Sequence, residues 1–177
     1  PRLRQGMGRR VAARVIESYG QAETATLAAV APLARDASKP GSAGVSAGPE
    51  IAIVDLDGRP LPPGDRGEIV VRGVNVMTGY EDDSETTAAS FRAGWFRTGD
   101  LGHLDADGFL FITGRLKEII NRGGEKIAPR EIDEILLTHP AVREAVTFGV
   151  PHRTLGEDVA AAVVLAEGAA ATPGDLR

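Results

Sequence analysis

A hairpin signature with a fixed charge on each side constrains this chain more than any other stretch. Leu104 to Ile112 reads as two short strands around Asp107-Gly108, where glycine supplies the positive φ of a tight turn. Asp100 stands just before it in Gly94-Trp95-Phe96-Arg97-Thr98-Gly99-Asp100-Leu101, and Arg115 just after it in Thr113-Gly114-Arg115-Leu116-Lys117. The pattern sends both side chains to one edge of a small sheet. A carboxylate that accepts from hydroxyls, beside a guanidinium that grips hydroxyl or phosphate oxygens, suits a ribose phosphate. The competing reading is a hairpin flanked by solvated charges, because charged side chains are mostly exposed.

Upstream, Val11 to Ser18 reads as a strand that leads into Tyr19-Gly20-Gln21-Ala22-Glu23-Thr24, where the glycine breaks regular structure and a short helix can follow. Ala31 to Gly48 is rich in Pro, Ala, Ser and Gly and reads as a surface loop. Glu50 to Asp55 and Gly67 to Arg72 read as strands, separated by turns at Asp57-Gly58 and Pro62-Pro63-Gly64. Such spacing predicts a small barrel or a distorted sheet. Asp83 to Arg92 reads as a helix with Asp83 or Ser84 as N-cap and Phe91 facing inward, and the single tryptophan, Trp95, is expected to be buried.

Downstream, Glu118 to Asn121 reads as a strand and Gly123-Gly124 as an open turn, for which a tight hairpin is the plainer reading. Pro129 to Leu137 is a predicted helix, with Pro129 at its first position and Ile132, Ile135 and Leu136 on its inner face. Glu131, Asp133 and Glu134 are expected in solvent. Ala145 to Val150 and Val159 to Leu165 read as strands of one sheet. The fold class is therefore α+β. The expected division is 1–114 as the strand-rich end of a larger N-terminal domain with a distorted β-barrel subdomain, 115–117 as a hinge, and 118–177 as the start of a small α+β C-terminal domain.

Composition removes several functions. The formal net charge of −5 argues against a general nucleic-acid binder. With no cysteine, there is no thiolate nucleophile, disulfide or zinc–cysteine site. The three histidines, His103, His139 and His152, are too widely spaced for a metal-ligand pattern and read as structural. No apolar run approaches the ~20 residues needed to cross a bilayer.

The two blocks around the hairpin, with Asn121-Arg122-Gly123-Gly124-Glu125-Lys126, Lys39-Pro40-Gly41-Ser42-Ala43-Gly44 and Gly79-Tyr80, resemble core motifs of the adenylate-forming superfamily. The likeness runs from Glu17 to about Leu165. It is greatest to the acyl-CoA synthetases, especially the oxalate-CoA ligase-like branch. The resemblance implies ATP, Mg²⁺, CoA and a small carboxylic acid as reactants, an acyl-adenylate intermediate, and a cytoplasmic setting where ATP and CoA are found. It implies that Tyr19 lies against adenine with Gly20 also binding the nucleotide, Glu23 holds Mg²⁺, Asp100 accepts from the ribose hydroxyls, and Arg115 binds the ribose and phosphate region. Lys117 matches the hinge, Gly123 and Gly124 the loop that approaches the pantetheine arm, and Lys126 a contact to CoA phosphate. One position departs: Ala22 stands where the family has Thr or Ser, so a hydroxyl that would bond a phosphate is missing.

The chain begins at Pro1, ends at Arg177, and contains neither the phosphate loop nor a Pro-x-x-x-Ser-Gly-Lys-like segment with the adenylation lysine. It therefore reads as an internal piece of a longer ligase, with no catalytic residue of its own and inactive when made alone. The alternatives are an adenylation domain that loads a carrier protein and a non-catalytic nucleotide-binding protein, the latter given weight by Ala22.

Overall fold

The computed structural model describes residues 15–34 and 37–176; the basic stretch 1–10 and positions 11–14 of the expected first strand lie outside them. Two compact units meet in sequence between Ile112 and Thr113. In the first, β1 (Ser18–Tyr19), β2 (Ala29–Val30) and β3 (Val45–Ser46) form a three-stranded antiparallel sheet. A five-stranded sheet contains β4 (Glu50–Val54), β5 (Gly67–Arg72), β6 (Phe91–Arg92), β7 (Trp95–Leu104) and β8 (Leu110–Arg115), with β7 pairing β5, β6 and β8. A bridge between Gly44 and Leu110 joins the two sheets, and among the described residues no full ring of strand pairings closes, which is the distorted form of the expected subdomain.

The core follows from the sequence of β5. Ile69, Val70 and Val71 are buried on both faces of the sheet, as an uninterrupted apolar run requires. Ile69 and Val71 pack with Tyr19, Ala29, Ile53 and Leu110. Each such aliphatic side chain contributes roughly 1.5–3 kcal/mol on burial.

The segment expected to be a surface loop ends buried. Ser42 and Ala43 lie inside, and the Ala43 amide donates to the Leu110 carbonyl at 2.8 Å while Leu110 N donates to Gly44 O at 2.8 Å. At Gly44 (φ +101°) a Cβ would lie 1.9 Å from the Val30 carbonyl oxygen, so no other residue fits. Lys39 reaches the tight turn between β7 and β8: its ammonium bonds Asp105 and Asp107, the latter at 2.6 Å, and sits 4.7 Å over the Phe109 ring. Two basic-to-acidic bonds thus fix the Asp-Gly turn from outside.

Helix α1 (Ser84–Ser90) starts at Asp83, which accepts from Thr86 N at 2.9 Å. The expected helix ran two residues further. Ala93 and Gly94 both have positive φ, and this turn folds Phe91 and Arg92 back as a strand against Phe96 and Trp95. The Phe91 and Phe96 rings meet 5.6 Å apart, a contact that outweighs two more residues of helix. Strand alternation then turns Phe96 inward and leaves Trp95 half-buried beneath the Arg72 guanidinium, 4.4 Å from its ring, so the expected burial of Trp95 is not realised.

In the second unit, β9 (Ile120–Arg122), β10 (Glu125–Ile127), β11 (Val142–His152) and β12 (Gly156–Leu165) make a four-stranded sheet in the order β10-β9-β12-β11, with helix α2 (Pro129–Leu136). The strand expected from Glu118 starts at Ile120, because Leu116–Glu118 forms a 3₁₀ turn. In α2 the buried residue is Leu136, while Ile135 is 68% exposed, contrary to expectation. Asp133, expected in solvent, is half-buried, and its Oδ1 has no partner. Pro151 is tolerated because β11 is an edge strand.

Two measurements test this account. Gly44→Ala should lower unfolding free energy by about 3 kcal/mol, read from urea denaturation. The second is pH-dependent. The Lys39 ammonium, followed by the Phe109 and Asp107 amides, holds the Asp105 carboxyl below its ordinary value. A depressed carboxylate adds stability above its unfolded pKa and loses it as pH falls through the folded one. The urea-midpoint gap between wild type and Lys39→Met should therefore hold steady above about pH 5 and shrink as pH falls below it, through the ordinary carboxylate value.

Candidate functional site

Asp100 is placed by a break in sheet register. Glu68 of β5 faces Leu101 of β7, but Val70 faces Arg97, so Thr98, Gly99 and Asp100 all stand opposite Ile69. Such bulges re-aim side chains and recur beside active sites. Three contacts hold this one. Glu68, 6% exposed, accepts from Arg97 Nε at 2.9 Å and Nη2 at 2.7 Å through one oxygen. Its other oxygen accepts from Gly99 N at 3.2 Å, where φ is +70°. Thr98 Oγ1 donates to Ile69 O at 2.7 Å and accepts from Asp100 N at 3.1 Å.

Asp100 itself is 4% exposed. Its Oδ2 accepts from the Tyr19 hydroxyl at 2.9 Å and from Gln21 Nε2 at 2.7 Å, and Gln21 Nε2 also donates to Thr98 O at 3.0 Å. The structure thus brings together Tyr19 and Asp100, which lie far apart in sequence. Gln21 is a member of this cluster that the sequence did not reveal, because a glutamine in a loop carries no pattern.

The loop after Tyr19 is built to a fixed shape. A Cβ at Gly20 would lie 2.3 Å from the Thr26 carbonyl oxygen, so this glycine is required by the loop's own backbone. Gln21 N donates to Thr24 Oγ1 at 3.0 Å, and the Thr24 hydroxyl returns a bond to Gln21 O at 3.1 Å. Thr24 is buried and its hydroxyl is engaged there, so it does not replace the one missing at Ala22. Ala25 and Thr26 both take positive φ, +50° and +67°, which costs about 1–2 kcal/mol each for residues with a Cβ. Asn75 Nδ2 holds them in place by donating to Thr24 O at 3.0 Å and Leu27 O at 2.9 Å. Glu23 accepts from the Tyr80 hydroxyl at 2.9 Å, which gives the Gly79-Tyr80 block a contact the sequence did not disclose. Burial, then Glu23, raises the Tyr80 hydroxyl above its ordinary value.

Among the described residues no group of three or more metal-ligating side chains is placed to hold an ion. Glu23 presents a carboxylate, a hard oxygen donor of the kind of which Mg²⁺ takes one or two while filling the rest of its shell from phosphate and water.

In the second unit Arg115 is the exposed last residue of β8, and Lys117 lies exposed in the 3₁₀ turn. Gly123 (φ +62°) and Gly124 (φ +99°) form the two-residue turn of the β9–β10 hairpin, as the plainer reading has it. Asn121 Oδ1 accepts from Gly124 N at 3.1 Å. Lys126 is exposed and stands opposite Asn121 across the hairpin, so Gly123, Gly124 and Lys126 share one element.

Against this geometry, comparison with known proteins is decisive at the family level. Residues 1–81 match the model of the AMP-binding enzyme, and residues 131–177 match that of the AMP-binding enzyme C-terminal domain, together more than two thirds of the chain. The chain is 48% identical over 168 residues to a probable CoA ligase of Humulus lupulus, covering 94% of this chain and 31% of that protein. It is 44% identical over 177 residues to an oxalate–CoA ligase of Arabidopsis thaliana, covering 99% and 34%. Among solved structures, ATP-bound MatB from Rhodopseudomonas palustris superposes with a TM-score of 0.89 at 36% identity, covering 98% of this chain and 35% of that one. The o-succinylbenzoate CoA synthetase of Bacillus subtilis, in complex with its acyl-adenylate intermediate, gives 0.81 at 38%, covering 97% and 35%. The chain belongs to the AMP-binding, adenylate-forming family, and its curated relatives are acyl-CoA ligases. It spans about a third of the length of those relatives.

The bulge carries a stability prediction. Glu68→Ala strands Arg97 and Gly99 N and should cost about 2–3 kcal/mol in chemical denaturation. Glu50→Ala, which removes only the exposed pair with Arg72, should cost less than about 1 kcal/mol.

Proposed function

We propose that this chain is part of an ATP-dependent acyl-CoA ligase, which converts a carboxylic acid, ATP and CoA to acyl-CoA, AMP and pyrophosphate through an acyl-adenylate. The observation that carries the proposal is the buried cluster of Tyr19, Gln21 and Asp100 on the β7 bulge. A carboxylate already oriented by two donors is preorganised to accept from vicinal ribose hydroxyls, with no reordering at the moment of binding. The Tyr19 ring, fixed through its hydroxyl, offers an aromatic surface for adenine beside it. The ATP-bound and adenylate-bound structures to which the chain is similar support this assignment.

On this reading Gly20 shapes the loop that carries the adenine contact. Glu23, oriented by Tyr80, would supply the protein's oxygen to Mg²⁺, which draws charge from the nucleotide phosphates. Arg115 supplies a cation for the ribose and phosphate region. Lys117 is the hinge residue, with residues 1–114 and 118–177 as the flanking domains. Gly123 and Gly124 form the thiol-approach loop, and Lys126 faces CoA phosphate. The wording of that loop favours CoA over a carrier protein as acceptor. The 177-residue chain has no phosphate loop and no Ser-Gly-Lys segment, so made alone it releases no AMP from ATP.

A second reading, a nucleotide-binding protein without turnover, is favoured by Ala22 alone, which is exposed and presents no hydroxyl. One substitution series separates them. In the full-length protein, Asp100→Ala should reduce ATP–pyrophosphate exchange on the order of a hundredfold, from loss of bonds to a charged group. Ala22→Thr should raise it about tenfold. Nucleotide binding with no exchange by wild type, across a screen of carboxylic acids, would replace the ligase by the binding protein.

A further inference from the structure

The Gly123-Gly124 loop, bridged within by the Asn121 side chain, is also held from outside. The amides of Asn121 and Gly123 donate into the chain around the β11–β12 turn: Asn121 N to Glu157 Oε2 at 2.7 Å, and Gly123 N to the Leu155 carbonyl at 2.8 Å. Arg122 pairs with Gly156 in the sheet, and its Nε donates to Asp158 Oδ1 at 2.6 Å. Glu157 reaches Asn121 by leaning across Gly149, where a Cβ would lie 2.8 Å from its Oε1. The two glycines are not equivalent. A Cβ on Gly123 would stand 3.1 Å from Leu155 Cδ2, whereas a Cβ on Gly124 would meet nothing within 4 Å.

The turn that supports the loop is itself tied by one side chain. His152 Nδ1 accepts from Leu155 N at 3.2 Å and Thr154 N at 3.3 Å, with the Thr154 hydroxyl at 3.4 Å. Two backbone donors on Nδ1 require the tautomer that carries its proton on Nε2. These bonds bend residues 152–156 so that the Leu155 carbonyl presents to Gly123. In this geometry an imidazole does the work that an Asx side chain does in other turns.

We propose that His152 is a positioning residue for the thiol step, acting through Leu155 on Gly123, while Gly124 is the position left open to the incoming thiol arm. This rests on the assignment of the glycine loop to CoA made above. On this proposal His152 acts through hydrogen bonds within its own turn, and the adenylation step does not depend on it. The histidine is therefore assigned an effect on one half-reaction only.

The test uses the full-length protein with His152→Ala and His152→Asn, since an asparagine Oδ1 can accept from the same amides. Amide hydrogen exchange over residues 121–124 reads the loop. ATP–pyrophosphate exchange and the KM for CoA read the two half-reactions separately. In His152→Ala, exchange at Gly123 should quicken about fivefold to tenfold and the KM for CoA should rise by a similar factor, from loss of a hydrogen bond. Pyrophosphate exchange should stay at the wild-type level, and His152→Asn should restore both altered quantities. Unchanged amide exchange in His152→Ala, or an asparagine variant as impaired as the alanine one, overturns the proposal. Faster amide exchange rescued by asparagine, with the KM for CoA unmoved, leaves the positioning role standing and removes instead the assignment of this loop to the thiol.

Discussion

The carboxylate of Glu68 governs the geometry of the first unit. A carboxylate taken out of water costs several kcal/mol unless its lone pairs are filled. Here they are filled by the Arg97 guanidinium and the Gly99 amide, both of which belong to the bulged strand. The cost of burying the charge is thereby converted into a condition on backbone shape, because relaxing the bulge would strand the carboxylate. Thr98 adds a second condition by bonding Ile69, the single residue that the bulge spans. Asp100 is therefore fixed by the requirements of its neighbours rather than by its own contacts alone.

The same principle runs through the adjoining loop. Ala25 and Thr26 occupy left-handed backbone that residues with a Cβ avoid, and the conformation persists because Asn75 and Met77 bond the carbonyls around it. Glu23 sits two residues before this strained pair, with Tyr80 on its carboxylate. Stored strain and borrowed hydrogen bonds concentrate in the loop around Glu23, while β5 and its apolar partners supply the burial that offsets them. Preorganisation of this kind lowers the cost of ordering when a ligand binds.

How far this was legible in the sequence depends on range. Turn chemistry is local, so Asp107-Gly108, the Asp83 cap and the Gly123-Gly124 hairpin could be read directly. Tyr19, Glu23 and Asp100 were singled out by motif resemblance, and the structure joins two of them through the bond between Tyr19 and Asp100. What could not be read was set by contacts between distant segments. Phe91 looks helical until the Ala93-Gly94 turn delivers it to Phe96. Ile135 has the right spacing for a core stripe, but the helix turns Leu136 fully inward and leaves Ile132 and Asp133 half-buried instead. Gln21 carries no local signature, and the Gly79-Tyr80 motif gives no sign of its contact with Glu23, since both contacts come from partners remote in sequence.

The two units solve different problems with the same materials. In the first, the Asp100 carboxylate is nine-tenths or more buried and its position is over-determined, as the proposed role in holding a nucleotide in one pose would require. In the second, the glycine loop is an exposed two-residue turn whose shape is lent by a neighbouring turn through a few hydrogen bonds to backbone. A surface hairpin held this way opens at low free-energy cost compared with a core strand. If a flexible thiol arm must thread past it, that economy is an advantage. The cap that sets how readily the loop deforms is then a determinant of how well the arm is received, although it never touches it.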